Sequence, residues 1–189
     1  MSAFAERVRQ DLIKLDALSK STGNRVKVRS TRGNPVSTIE LELDYSTAPN
    51  RNYPTKVQRP TKVKIDLTSR YPFQEPNAKI TTPIYHPNVY TSGQICFGTK
   101  WLPSQGLDLL VKRIIQIITF EPMILNAGSP ANGQALNWYT SAVKKHPGAF
   151  PTDKLEVKSE QPKPKMAWKN MSEGSEDRVI VTCPTCTAK

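Results

Sequence analysis

The 189-residue chain holds only two histidines and three cysteines. So small and odd a cysteine count excludes a disulfide-stapled miniprotein. Glycine is scarce, with 9 against 16 prolines and no repeating pattern, which excludes a collagen-like chain. No apolar run approaches ~20 residues, so no membrane-spanning helix is expected. The segment from Met1 to Leu12 carries charges where a signal peptide needs an apolar stretch. An intracellular protein with reduced thiols is therefore expected, cytoplasmic or, in a eukaryote, also nuclear.

What the chain has in excess is positive charge, 27 Lys and Arg against 16 Asp and Glu, a net +11. Two stretches concentrate it without any acid: Lys20, Arg25, Lys27, Arg29 and Arg32, then Arg51, Lys56, Arg59, Lys62 and Lys64. On neighbouring strands they would form one basic surface, suited to solubility or to docking an acidic protein. Nucleic acid is disfavoured as a partner, because no aromatics interleave with these cations and no known nucleic-acid-binding motif occurs.

Periodicity supplies the architecture. Phe4, Val8, Leu12, Leu15 and Leu18 predict an amphipathic helix over 3–19, stopping near Thr22-Gly23-Asn24. Alternating apolar residues predict strands over 25–31, 38–45, 61–68 and 77–82. An antiparallel meander is the simplest way to connect them. Residues 82–106 are irregular and rich in Pro, Gly, Asn and Ser, a composition that often marks function inside a compact domain. Leu107, Leu110, Val111, Ile114, Ile115 and Ile118 then predict a buried helix, ended by Pro122. A third helix is expected over 131–144, with Leu136 and Tyr139 in the core. The fold class is α+β. Residues 1–153 form the domain, and 154–189 read by composition as a tail, broken by Trp168 and by Val179-Ile180-Val181.

Cys96 sits in the irregular segment, eight residues after Asn88. An asparagine amide can donate to a developing oxyanion. His86, bracketed by Tyr85 and Pro87, reads as a packed structural histidine more than as the base of a cysteine hydrolase. A free thiol titrates near ~8.5, so a small thiolate fraction is present at neutral pH. That fraction suffices for exchange with a thioester, whose leaving group is also a thiol. Acyl-carrier chemistry fits such a cysteine better than amide hydrolysis does.

These residues, taken together, resemble a family. Tyr71-Pro72-Phe73, Pro76, the run from Thr82 through His86-Pro87-Asn88, Gly93-Gln94-Ile95-Cys96, Trp101 and Pro103 are similar to the E2 ubiquitin-conjugating enzymes. The likeness continues through Glu121-Pro122 and Ser129-Pro130-Ala131-Asn132, and the segment HPNVYTSGQIC is most similar to the SUMO-type E2. The resemblance implies the ubiquitin-conjugating (UBC) fold: an N-terminal helix, a four-stranded antiparallel meander and C-terminal helices. It also implies that Cys96 accepts a ubiquitin-like protein from an E1 as a thioester and passes it to a lysine of a target. Asn88 would support the loop and the oxyanion, while Tyr90 and Ser129 would orient and desolvate the lysine. His86, Pro87 and Trp101 would be structural. Phe73, Leu102 and Pro103 would meet the E1 or a RING-type E3, the use of an E3 being left open. No cofactor is implied, since ATP is consumed by the E1. A non-catalytic adaptor that scaffolds a ubiquitin-like protein is the alternative.

The chain departs from the family pattern in a shorter loop between Cys96 and Trp101 and a longer Met123–Gly128 stretch. The hairpin over 46–60 is also longer, and more basic. Such divergence would suit a prokaryotic E2-like enzyme with its own E1, as in an antiviral system. Cys183 and Cys186, spaced Cys-Pro-Thr-Cys, read as plain tail thiols, as half of a zinc site completed elsewhere, or as a redox pair.

Overall fold

A computed structural model describes residues 2–157. Trp168, Val179-Ile180-Val181, Cys183 and Cys186 lie outside the described residues, and with them the zinc and redox readings. The element order is α1 (Ala3–Ser21), β1 (Val26–Arg32), β2 (Thr38–Leu43), β3 (Thr61–Asp66), β4 (Asn77–Ile80), α2 (Leu107–Ile118) and α3 (Gly133–Lys145). The strands pair in chain order as one antiparallel sheet, the expected meander. No helix among the described residues is long and apolar enough to cross a membrane.

Alternation places Ile39, Leu41 and Leu43 of β2 and Val63 and Ile65 of β3 on the core face. Val8, Leu15 and Leu18 of α1 and the apolar residues of α2 complete the same cluster. The edge strand β1 departs from simple alternation. Its register shifts between Val28 and Ser30, and Val28 is exposed. The opposite face of the sheet carries the charges, and they pair across strands. Arg29 meets Glu42 at 2.6 Å, Arg32 meets Glu40 at 3.2 Å and Arg59 meets Asp44 at 2.6 Å. Arg25 bonds Asp153 at 2.6 Å and lies over the Tyr45 ring. The expected continuous basic surface is thus largely neutralised by acids from neighbouring strands and from the segment after α3.

Two helix expectations need correction. α2 ends at Ile118 with Thr119 as its C-cap, ahead of Pro122: the Thr119 hydroxyl bonds back to the Ile115 carbonyl and Phe120 turns to φ +59°. Pro122 instead opens a short 3₁₀ turn, Pro122–Ile124. In α3 the fully buried residues are Ala135 and Ala142, and the expected core residue Leu136 is only half-buried. Tyr139, also half-buried, does make a core contact, stacking on Phe120 in a second, aromatic cluster with Tyr53, Trp138 and Phe150.

One buried charge joins three elements. Asp11, on α1, is fully buried and accepts from Arg7 Nε at 2.7 Å, from the Tyr71 hydroxyl and from the Leu107 N–H at 3.3 Å. The last bond caps α2 from another helix. The N-cap residue of α2 is Gly106, and a Cβ there would stand 3.1 Å from the Asp11 carboxylate. An anion at a helix N-terminus is favourable. Burial and the Asp11 contact together push the Tyr71 hydroxyl pKa well above its usual range. Asp11→Ala strands the Arg7 guanidinium and two further donors. It is expected to lower stability by about 3–5 kcal/mol in urea unfolding, whereas Tyr71→Phe should cost about 1–2 kcal/mol.

Candidate active site

The eight-residue spacing of Asn88 and Cys96 is a hairpin register. The Cys96 N–H donates to the Asn88 carbonyl at 2.8 Å, Val89 bridges Ile95, and the Tyr90 N–H donates to the Gln94 carbonyl at 2.9 Å. The hairpin docks on the free edge of β4. Ile95 N–H reaches the Ala78 carbonyl at 3.0 Å, and Ile80 N–H reaches the Gly93 carbonyl at 2.9 Å. Gly93 has φ +88°, and a Cβ there would lie 2.3 Å from the Ile80 carbonyl oxygen, so both conformation and space require glycine. Ile95 and Phe97 are buried on either side of Cys96, which alternation turns outward to a half-buried position. Tyr90 is 47% exposed on the same hairpin.

Asn88 is fully buried, with both ends of its amide engaged. Its Nδ2 donates to the Ile124 carbonyl at 3.0 Å, and its Oδ1 accepts from the Asn126 N–H at 3.2 Å. Ser129 is exposed, and its backbone is held by the Asn126 side chain. The Asn132 N–H donates to the Pro87 carbonyl at 3.0 Å, tying the start of α3 to the same turn. Hydrogen bonds thus link Asn88 to Cys96 along the hairpin and to Ser129 through Asn126. Tyr90 reaches Cys96 only along the hairpin backbone. Asn126 is the residue that the sequence reading missed, since it belongs to no repeat or motif. The unusual length of its segment was the available signal.

His86 is buried against Phe120, with ring centroids 4.2 Å apart. Its Nδ1 accepts the Asn88 N–H at 2.9 Å, which places the proton of the neutral ring on Nε2. Burial lowers its pKa from 6.5 to about 3. A ring so weakly basic, with its acceptor nitrogen already occupied, is a poor general base.

The loops that carry Phe73 and Leu102 are also tied together. Trp101 Nε1 donates to the Pro72 carbonyl at 2.6 Å, and the Trp101 and Tyr71 rings lie 6.1 Å apart. Arg7 donates to the Pro103 carbonyl at 2.9 Å and to the Gln105 carbonyl. Around this frame Phe73 and Leu102 remain 80% and 51% exposed. Among the described residues no cluster of three potential metal ligands occurs.

The neutral His86 makes stability pH-dependent. The unfolded ring titrates near 6.5 and the folded one near 3, so the unfolded state takes up the proton first as pH falls. Stability is full above about pH 6.5 and is lost progressively toward pH 3. His86→Asn, which keeps an acceptor for the Asn88 N–H but does not titrate, should remove this acid slope from urea midpoints measured between pH 7 and 4.

Residues 40–148 match the family model for ubiquitin-conjugating enzyme. A ubiquitin-conjugating enzyme E2 of African swine fever virus (strain Badajoz 1971 Vero-adapted) is 30% identical over 95 residues, covering 44% of this chain and 42% of the viral one. Ubiquitin-conjugating enzyme E2 T of Homo sapiens is 32% identical over 69 residues, and that of Danio rerio 43% over 68, each covering 36% of this chain and 35% of its own. The matches therefore span less than half the length of these relatives. The family match takes in β2 to β4, the Asn88–Cys96 hairpin, α2 and α3, more than half of the chain, and the protein belongs to the ubiquitin-conjugating enzyme (E2) family.

Proposed function

We propose that the protein is an active E2 that carries ubiquitin or a ubiquitin-like protein as a thioester on Cys96 and transfers it to a lysine amine. The observation that carries this reading is the outward-turned Cys96, pinned to Asn88 and to β4 within the family-matched region. In the first step the Cys96 thiolate attacks the thioester carbonyl held by an E1. The new C–S bond replaces the old one, and the E1 thiolate leaves. Thiol replaces thiol, so no strong base is needed. In the second step the lysine Nζ lone pair attacks the same carbonyl and charge develops on oxygen.

The Asn88 amide nitrogen has two hydrogens, and one serves the Ile124 carbonyl. The other is the donor we assign to the oxyanion. The attack forms the C–N bond. Collapse of the intermediate restores the carbonyl and breaks the C–S bond to expel the Cys96 thiolate, and the ammonium proton is released to solvent. Tyr90 and Ser129 are assigned to flanking the incoming lysine, where desolvation lowers the amine pKa. Phe73, Leu102 and Pro103 are assigned to the E1, with a RING-type E3 as a second user of the same loops.

Two measurements test the reading. Ubiquitin bearing a C-terminal mercaptoethanesulfonate thioester supplies the acyl group without an E1. The wild-type protein should form a thiol-sensitive adduct on a non-reducing gel, and Cys96→Ser and Cys96→Ala should form none. No adduct with this thioester, nor with the corresponding SUMO thioester, would favour the adaptor reading. Phe73→Ala should leave this chemical charging unchanged while lowering E1-dependent charging about 10-fold.

A further inference from the structure

Asn126 stands in the longer stretch between the 3₁₀ turn and Pro130, and it contacts three segments of the site. Its backbone N–H donates to Asn88 Oδ1 at 3.2 Å. Its side-chain Nδ2 donates to the Ser129 carbonyl at 2.8 Å, and its Oδ1 accepts from the Ser129 N–H at 3.2 Å. The same side chain lies beside Gly98, two residues beyond Cys96, with Cβ and Nδ2 each 3.6 Å from where a Cβ on that glycine would stand. Closing both bonds onto one residue's backbone takes a donor and an acceptor on a single short planar group. Asparagine has both, aspartate has only acceptors and alanine neither.

The stretch it clasps has little else to hold it. Ala127 and Gly128 are exposed, and a Cβ on Gly128 would meet nothing within 4 Å. A segment of this kind samples many conformations unless it is pinned. The pin has a second effect. The Ile124 carbonyl that holds Asn88 Nδ2 and the Asn126 N–H that holds Asn88 Oδ1 are two residues apart in the same segment. Fixing Ser129 to Asn126 therefore also fixes the plane of the Asn88 amide.

We propose that Asn126 is a positioning residue for transfer, holding the Asn88 amide and the Ser129 segment in one arrangement beside the Cys96 hairpin. It acts through Asn88 and Ser129 and does not touch the reacting carbonyl. The inference rests on the transfer reading above. It assigns Asn126 to aminolysis, the attack of lysine on the Cys96 thioester, and not to acquisition of the thioester.

The test separates the two steps. Wild type, Asn126→Ala and Asn126→Asp are charged with the ubiquitin mercaptoethanesulfonate thioester, desalted and chased with free lysine in single turnover. Charging should stay within about 2-fold of wild type, while the limiting aminolysis rate of Asn126→Ala falls at least about 10-fold. Asn126→Asp keeps the acceptor for the Ser129 N–H and should fall between. Aminolysis by Asn126→Ala within about 2-fold of wild type would overturn the proposal. A parallel loss of charging, aminolysis and melting temperature would overturn it too, by showing a purely structural residue. Failure of wild type to charge would instead count against the transfer reading. The clasp can then still be read by hydrogen exchange at the Ser129 amide, which should be protected in wild type and exchange at least about 10-fold faster in Asn126→Ala. Exchange at open-loop rates in wild type would overturn the clasp itself.

Discussion

The Asp11 carboxylate sits in the core without solvent, and its partners come from its own helix and from two distant parts of the chain. Arg7 supplies the countercharge, Tyr71 a hydroxyl, and Leu107 the first N–H of α2. A buried charge is tolerated only when its partners are all present. Arg7, once held by Asp11, spends its remaining donors on the carbonyls of Pro103 and Gln105. Tyr71, once held, fixes the turn whose Pro72 carbonyl receives Trp101. The exposed Phe73 and Leu102 are presented by loops that both trace back to this one anion.

The region around Cys96 is organised differently, by neutral hydrogen bonds. Backbone pairing fixes Cys96 against Asn88 and the hairpin against β4, and side-chain amides fix the segment before α3. The hairpin has strand neighbours and a glycine that admits no replacement at Gly93. The segment over 125–130 has neither, so its order depends on a few amide contacts. On the proposed transfer reading, the anchored Cys96 would meet a thioester in a fixed geometry, while the loosely supported flank would face acceptors of varied shape.

Much of this was legible because the signals are local. The 3.6-residue spacing of Val8, Leu15 and Leu18 and the alternation in β2 and β3 specify faces by themselves. The eight-residue gap from Asn88 to Cys96 corresponds to a hairpin register, but the Pro, Gly, Asn and Ser of that segment make it read as irregular. What stayed hidden depends on partners distant in sequence. Asp11 reads as a solvent-facing helix charge until Tyr71 and Leu107 arrive. Arg29 and Arg59 read as free cations until the sheet register sets Glu42 and Asp44 beside them. The end of α2 at Ile118, capped by Thr119, was masked by the more conspicuous Pro122, and burial of residues as small as Ala135 and Ala142 leaves little trace in a hydrophobic pattern.

His86 carries a consequence for which amines the protein would serve. Its acceptor nitrogen is spent on the Asn88 N–H and its ring is held neutral by burial, so this imidazole is not free to collect a proton from an incoming nucleophile. Deprotonation is then left to the acceptor itself. An α-amino group titrates near ~8 and a lysine near ~10.4, so at neutral pH a chain terminus offers roughly two-hundredfold more free base. On the proposed transfer reading, a lysine would close that gap only where its surroundings depress its own basicity, so choice among acceptors would rest on the target's electrostatics as much as on its shape.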